Sequence, residues 1–142
     1  MTENLEFKQI RDLDQALIEA DVQTMNVDRI TGRWKNTDRH TRGLSEITIE
    51  QTGEQFSVSA LGVGADGPIA WRAKRVRPLA NLEEEAGQRG ITLVADFDFG
   101  FMSAETYLRI NKGVLVIVLF TTFTDQSGRT GYVTREFFYR PE

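Results

Sequence analysis

The sequence predicts an all-β fold, an eight-stranded antiparallel up-and-down barrel preceded by an N-terminal α-helix. Three observations carry this. After Asp28 the apolar residues change from a helical to a two-residue period and keep it nearly to the end. Eight such segments fit within residues 29–142, mostly joined by short turns rich in Gly, Asp and Asn. Many antiparallel strands in one small domain leave two adhesive edges, and closure into a barrel removes both. A two-sheet sandwich uses the same period and stands as the alternative architecture.

Residues 1–28 form the helix and its lead-in. Ile10, Leu13, Leu17, Ile18 and Val22 recur at three- and four-residue spacings, with Arg11, Asp12, Asp14, Gln15 and Glu19 between them. Residues 29–142 form a single barrel domain, with strands expected at 30–36, 44–51, 55–62, 69–75, 91–99, 101–110, 114–123 and 130–139. Alternation is clearest in Phe56, Val58 and Ala60, in Ile47 and Ile49, and in Leu93, Ala95, Phe97 and Phe99. Hairpin turns are expected at Thr52-Gly53-Glu54, Ala65-Asp66-Gly67-Pro68, Asn111-Lys112-Gly113 and Asp125-Gln126-Ser127-Gly128. Between Pro78 and Gly90, Leu79, Leu82 and Ala86 beside three glutamates suggest helical turns or a long lid loop. The segment 114–123 is apolar on both faces, so its outer side needs a cover. The N-terminal helix or a second copy can supply one, and a homodimer is expected in addition to the helix because Phe123, Phe137 and Tyr139 add apolar surface.

The composition removes several function classes. With 142 residues, 40% of them hydrophobic and 27% charged, the chain can bury one core. A net charge of −4 disfavours phosphate-dominated nucleic-acid binding. The absence of cysteine removes thiolate chemistry and cysteine-ligated metals, and one histidine makes a His-rich metal site or a Ser–His triad hard to build. No cofactor or metal is expected. The first residues show neither a basic region nor an unbroken apolar one, and the run 113–120 is far shorter than a membrane span, so the cytoplasm is the expected location.

The segment Thr31-Gly32-Arg33-Trp34-Lys35-Asn36 places Gly-x-Trp on the first strand after a short helix. This resembles the opening motif of lipocalins and the wider calycin group, and the chain is most similar to small bacterial lipocalin-like proteins. The resemblance implies a barrel with a cavity. It also implies that Trp34 closes one end under an arginine from near the end of the last strand, here Arg135 or Arg140. A guanidinium on an indole face gains cation–π attraction while its stem covers apolar surface. The usual secretion signal and disulfides of lipocalins are missing.

Other constellations have plain structural explanations. Gly62, Gly64 and Gly67 match a dinucleotide-binding spacing, but Pro68 and a strand follow instead of the helix that would face a pyrophosphate. Asp98-Phe99-Gly100 is read as a turn, since the accompanying kinase signatures are missing. Arg72, Lys74, Arg75 and Arg77 around Trp71 split between two faces and are read as a solvated edge partnered by Glu83, Glu84 and Glu85. Asp96 and Asp98 lack the flanking ligands of a calcium loop. His40, in a loop with Asp38, Arg39, Thr41 and Arg42, is a candidate contact for an anionic group at a barrel entrance.

Two functions from different classes follow. In the leading one, Phe56, Trp71, Phe97, Phe99 and Phe120 line a pocket for one small hydrophobic metabolite, making the protein a carrier or sensor. In the alternative, a cofactor-free cyclase or isomerase moves a proton with Glu136 and Tyr132, or with Glu105 and Tyr107, on a hydrophobic intermediate. That alternative borrows from small bacterial barrels that serve as cyclases in secondary metabolism, a likeness of fold. It needs these pairs to face inward. An outward orientation is favoured, because Ala104, Thr106, Leu108 and Ile110 supply an adequate inward set.

Overall fold

The computed structural model describes residues 29–85 and 88–142, leaving aside the side chains of 82–89. The helix expected within 1–28 lies outside the described residues. Nine antiparallel strands form one sheet: β1 Gly32–Asn36, β2 Leu44–Thr52, β3 Gln55–Gly62, β4 Ile69–Arg72, β5 Arg75–Glu85, β6 Gln88–Asp98, β7 Met102–Asn111, β8 Val114–Phe123 and β9 Tyr132–Tyr139. Their order is β4-β3-β2-β1-β9-β8-β7-β6-β5, so consecutive strands are neighbours except β4 and β5, and the first strand pairs with the last. The hydrogen-bonded order stays open between β4 and β5.

Two expectations are corrected. The strand expected at 69–75 divides into β4 and β5, giving nine strands rather than eight. Of the region expected to be helical turns or a lid, residues 78–85 belong to β5 and 88–90 to β6, with Val76 opposite Ala95, Leu79 opposite Thr92 and Glu84 opposite Arg89 along the pair. Long-range pairing overrides the helix-like spacing there. Pro78 is tolerated because β5 is terminal in the sheet order.

The ends of the sheet nevertheless come together. β4 and β5 are joined by Ala73 and Lys74 alone, and these two residues bond to opposite ends of the sheet. Ala73 N donates to Val58 O of β3 at 2.9 Å, and Lys74 N donates to Asp96 O of β6 at 2.7 Å. The Trp71 ring on β4 meets Phe97 on β6 edge-on at 5.3 Å and Phe99 just beyond it at 4.7 Å. One face of the curled sheet is therefore buried against itself. Its core includes Ile47, Ile49, Val58, Leu93, Phe97, Leu108, Leu115, Ile117 and Phe138.

The turns follow their chemistry. Lys112 and Gly113 both take positive φ, 53° and 81°, between β7 and β8, as a two-residue hairpin with the native twist requires. The Gly62–Gly67 spacing falls in the β3–β4 connection and Asp98-Phe99-Gly100 in the β6–β7 turn, where Gly100 N donates to Asp98 Oδ1.

One end of the inner face is closed by the Gly-x-Trp segment. Trp34 is 1% exposed, and its indole N–H donates to Ile30 O at 3.0 Å. Arg140, immediately after β9, lies with its guanidinium carbon 4.3 Å from the ring centroid, and Nη1 donates to Thr31 O at 2.8 Å. Arg135 is on the outside of β9, so of the two candidate arginines Arg140 covers the indole. Gly32 has a φ of +120°, and a Cβ there would come within 2.7 Å of Arg140 Nη1. The glycine of the motif thus leaves room for the guanidinium over the tryptophan two residues on.

Trp34→Ala removes a buried indole and should cost about 3–5 kcal/mol, lowering the melting temperature by roughly 10 °C or more. Arg140→Ala should cost less in that background than in the wild-type protein, because its ring contact is already gone. Thermal melts of the two single variants and the double variant check this, and strictly additive losses contradict it.

Candidate functional site

β1 ends at Asn36, and β9 continues beyond it without a strand on that side. Side chains fill the gap. Thr37 N still donates to Phe137 O at 2.9 Å, but from there the chain leaves as the loop 37–43. Asn36 is buried and holds this loop: Nδ2 donates to Leu44 O at 2.8 Å and to Glu136 Oε1 at 3.1 Å, while Oδ1 accepts Asp38 N at 2.8 Å. Glu136 Oε1 also accepts the Thr41 hydroxyl at 2.7 Å, and Oε2 accepts Leu44 N at 3.4 Å. A Cβ at Gly43 would come within 2.7 Å of that carboxylate, so the loop passes it closely. Glu136 has no cation partner among the described residues, and three donors stabilise its charge instead.

Below this loop is a 540 Å³ cleft at the end of the inner face opposite the β7–β8 turn. Leu44, Val63, Ile69, Trp71, Met102 and Leu119 make its apolar wall. Thr121, Tyr132, Thr134 and Glu136 add polar groups, and Asp38, Arg42 and Arg135 also border it. Gly62 makes room for Trp71, since a Cβ there would come within 2.6 Å of the indole nitrogen.

The sequence-derived candidates fall in different parts of the fold. Trp71 and Tyr132 line the cleft with Glu136, although no hydrogen bond joins the last two. Both lie on the parity of buried Phe138, so on this strand the polar set faces inward, against the outward orientation favoured from sequence. Phe56, Phe97 and Phe99 belong to the core or pack on it, and Trp34 closes the far end. Phe120 is corrected: it is exposed on the outer face, because Leu115, Ile117 and Leu119 take the inward positions of β8. Glu105 and Tyr107 are outside as well, where Tyr107 meets Phe120 edge-on at 5.5 Å. The Tyr107 hydroxyl donates to Glu105 Oε1 at 2.9 Å, and the hydrogen bond and nearby negative charge raise its pKa above the ordinary 10.0. His40 is exposed, with its backbone N–H on Asp38 Oδ1.

Asn36, Thr41 and Gly43 were not among those candidates. Asn36 shares the parity of Trp34, and that is the one sequence signal that a polar side chain faces inward there.

A second concavity of 830 Å³ lies near the start of β5 and is lined by Lys74, Arg75, Asp96, Asp98 and Glu105 among others. Its charges pair with one another, Arg75 with Asp96 at 3.2 Å and Lys74 with Asp98 at 3.8 Å. These aspartates partner Lys74 and Arg75, and the side chains of Glu83 to Glu85, the partners expected for the basic segment, lie outside the described residues. Exposed pairs of this kind contribute little, and the Glu105 carboxylate there accepts the Tyr107 hydroxyl. No group of three His, Cys, Asp or Glu among the described residues is placed to hold a metal ion. Comparisons with protein-family models, with curated proteins and with solved structures find no match.

Proposed function

We propose that the protein binds one small hydrophobic molecule in the 540 Å³ cleft at the end of its curled sheet, acting as a carrier or sensor. The supporting observation is the cleft itself. Its size falls within the range typical of small-molecule sites, one side of its wall is apolar, and polar groups from β8, β9 and the loop 37–43 converge on the other. On this reading the sheet works as a calycin-like barrel, with the Trp34–Arg140 contact as its closed end and the loop 37–43 at its entrance. A cytoplasmic location agrees with a chain that has no cysteine, and no helix among the described residues is long and apolar enough to cross a membrane.

The placement of Glu136 and Tyr132 on one cleft keeps a second reading, a cofactor-free cyclase or isomerase. Binding is favoured because the Glu136 carboxylate already accepts three hydrogen bonds from the protein.

The outer face of β7, β8 and β9 bears Tyr107, Val116, Val118, Phe120, Val133 and Phe137 side by side. We propose that a second copy covers it. Glu105 lies opposite Phe120, and Arg109 and Arg135 lie opposite Val116 and Val118, so the patch carries both signs of charge and can complement itself about a two-fold axis. The N-terminal segment, the other cover read from the sequence, lies outside the described residues.

Apolar probes (lipids, polyphenols, terpenoids and bilins) should include at least one class that raises the melting temperature and changes tryptophan fluorescence. Trp71→Phe should abolish that change in fluorescence. Silence from every class, or a response that survives in Trp71→Phe, would sink the binding site. Mass measured in solution should show a dimer, with Val118→Glu giving a folded monomer. A wild-type protein that is monomeric at about 100 μM, where a specific interface would be populated, contradicts the proposed interface.

A further inference from the structure

The hydrogen-bonding groups around the cleft are unequally used. On the acceptor side, the Glu136 carboxylate is taken up by Asn36, Thr41 and Leu44, and Asp38 Oδ1 accepts His40 N. On the donor side, the indole N–H of Trp71 and the hydroxyls of Thr121, Thr134 and Tyr132 make no hydrogen bond with other described residues. Thr121 is only 4% exposed and Trp71 is half-buried, yet no buried side-chain polar atom among the described residues lacks a partner. The Thr121 oxygen and the Trp71 nitrogen are therefore accessible, and both residues line the cleft.

The indole N–H can only donate, and a hydroxyl can do so. An apolar molecule covering them would strip their water and offer nothing in return, which carries the penalty of an unsatisfied buried donor. A ligand suited to this cleft therefore brings an acceptor.

Charge decides which acceptor. Asp38 is matched by Arg42, and Glu136 adds one negative charge to the lining, since Arg135 is on the outer face of β9. A ligand carboxylate would add a negative charge close to Glu136, whose charge is already stabilised by three donors. A ligand ammonium would find a carboxylate whose lone pairs are largely occupied, and it would face donors elsewhere. An uncharged carbonyl oxygen meets neither obstacle.

We propose that the ligand is an uncharged apolar molecule bearing a carbonyl group, a ketone or quinone, whose oxygen accepts from Trp71 Nε1 and the Thr121 hydroxyl while its body lies against Leu44, Ile69 and Leu119. The inference rests on the binding reading above and narrows it. The test uses four probes on one skeleton: acetylnaphthalene, ethylnaphthalene, naphthoate and naphthylmethylamine, titrated into the full-length protein by calorimetry. Acetylnaphthalene should bind about tenfold more tightly than ethylnaphthalene, the difference for one neutral hydrogen bond. Thr121→Val, close in shape to the residue it replaces, and Trp71→Phe, which removes the indole N–H but keeps an aromatic ring, should each shrink that ratio to about threefold or less while melting stays cooperative. Tighter binding of naphthoate or the amine, equal binding of the ketone and the hydrocarbon, or a ratio unchanged in both variants overturns the carbonyl assignment and leaves the binding reading intact. Binding by none of the four, with the apolar probe classes silent as well, overturns both.

Discussion

A single sheet that buries one face has nothing to pack that face against except itself. This constraint governs the rest of the molecule. The inner side chains of the strands form one apolar cluster, so the sheet must curl until its first and last strands in hydrogen-bonded order approach each other. The chain solves the meeting point with two residues. Ala73 closes its bond toward β3 and Lys74 toward β6, and the strand direction continues from β4 into β5 with almost no loop.

Curling makes two ends, and the sequence treats them differently. At one, a large indole is sealed by a guanidinium, and a glycine gives it room. At the other, β1 stops early, and the gap between β9 and β2 is bridged by polar side chains instead of a ladder. Asn36 and Glu136 thereby fix the loop 37–43 over a cleft that core side chains do not fill. The inner face is thus filled at one end and open at the other.

Most of this was legible wherever it depended on local pattern. The two-residue period placed most strands closely, and Lys112-Gly113 announced its hairpin. Gly32 and Trp34 shared an inward side that the structure uses. Legibility failed where a distant partner decided the outcome. Leu79, Leu82 and Ala86 beside three glutamates imitate a helical stripe, and only the ladder with β6 makes residues 75–85 a strand. The two faces of β8 are equally apolar, so the sequence could not say that Leu119 turns inward and Phe120 outward. The contact between Asn36 and Glu136 spans a hundred residues, and no local spacing reveals it.

The curled inner face is sealed at the Trp34 end and open at the Trp71 end. The protein has two tryptophans, so replacing Trp71 by Phe leaves one reporter at the sealed end. Acrylamide quenching of that variant measures this difference directly. Short-wavelength emission that acrylamide barely quenches, against a wild-type protein with a distinctly quenchable component, is the predicted result. Quenching of the remaining tryptophan as strong as that of the free amino acid would contradict the account.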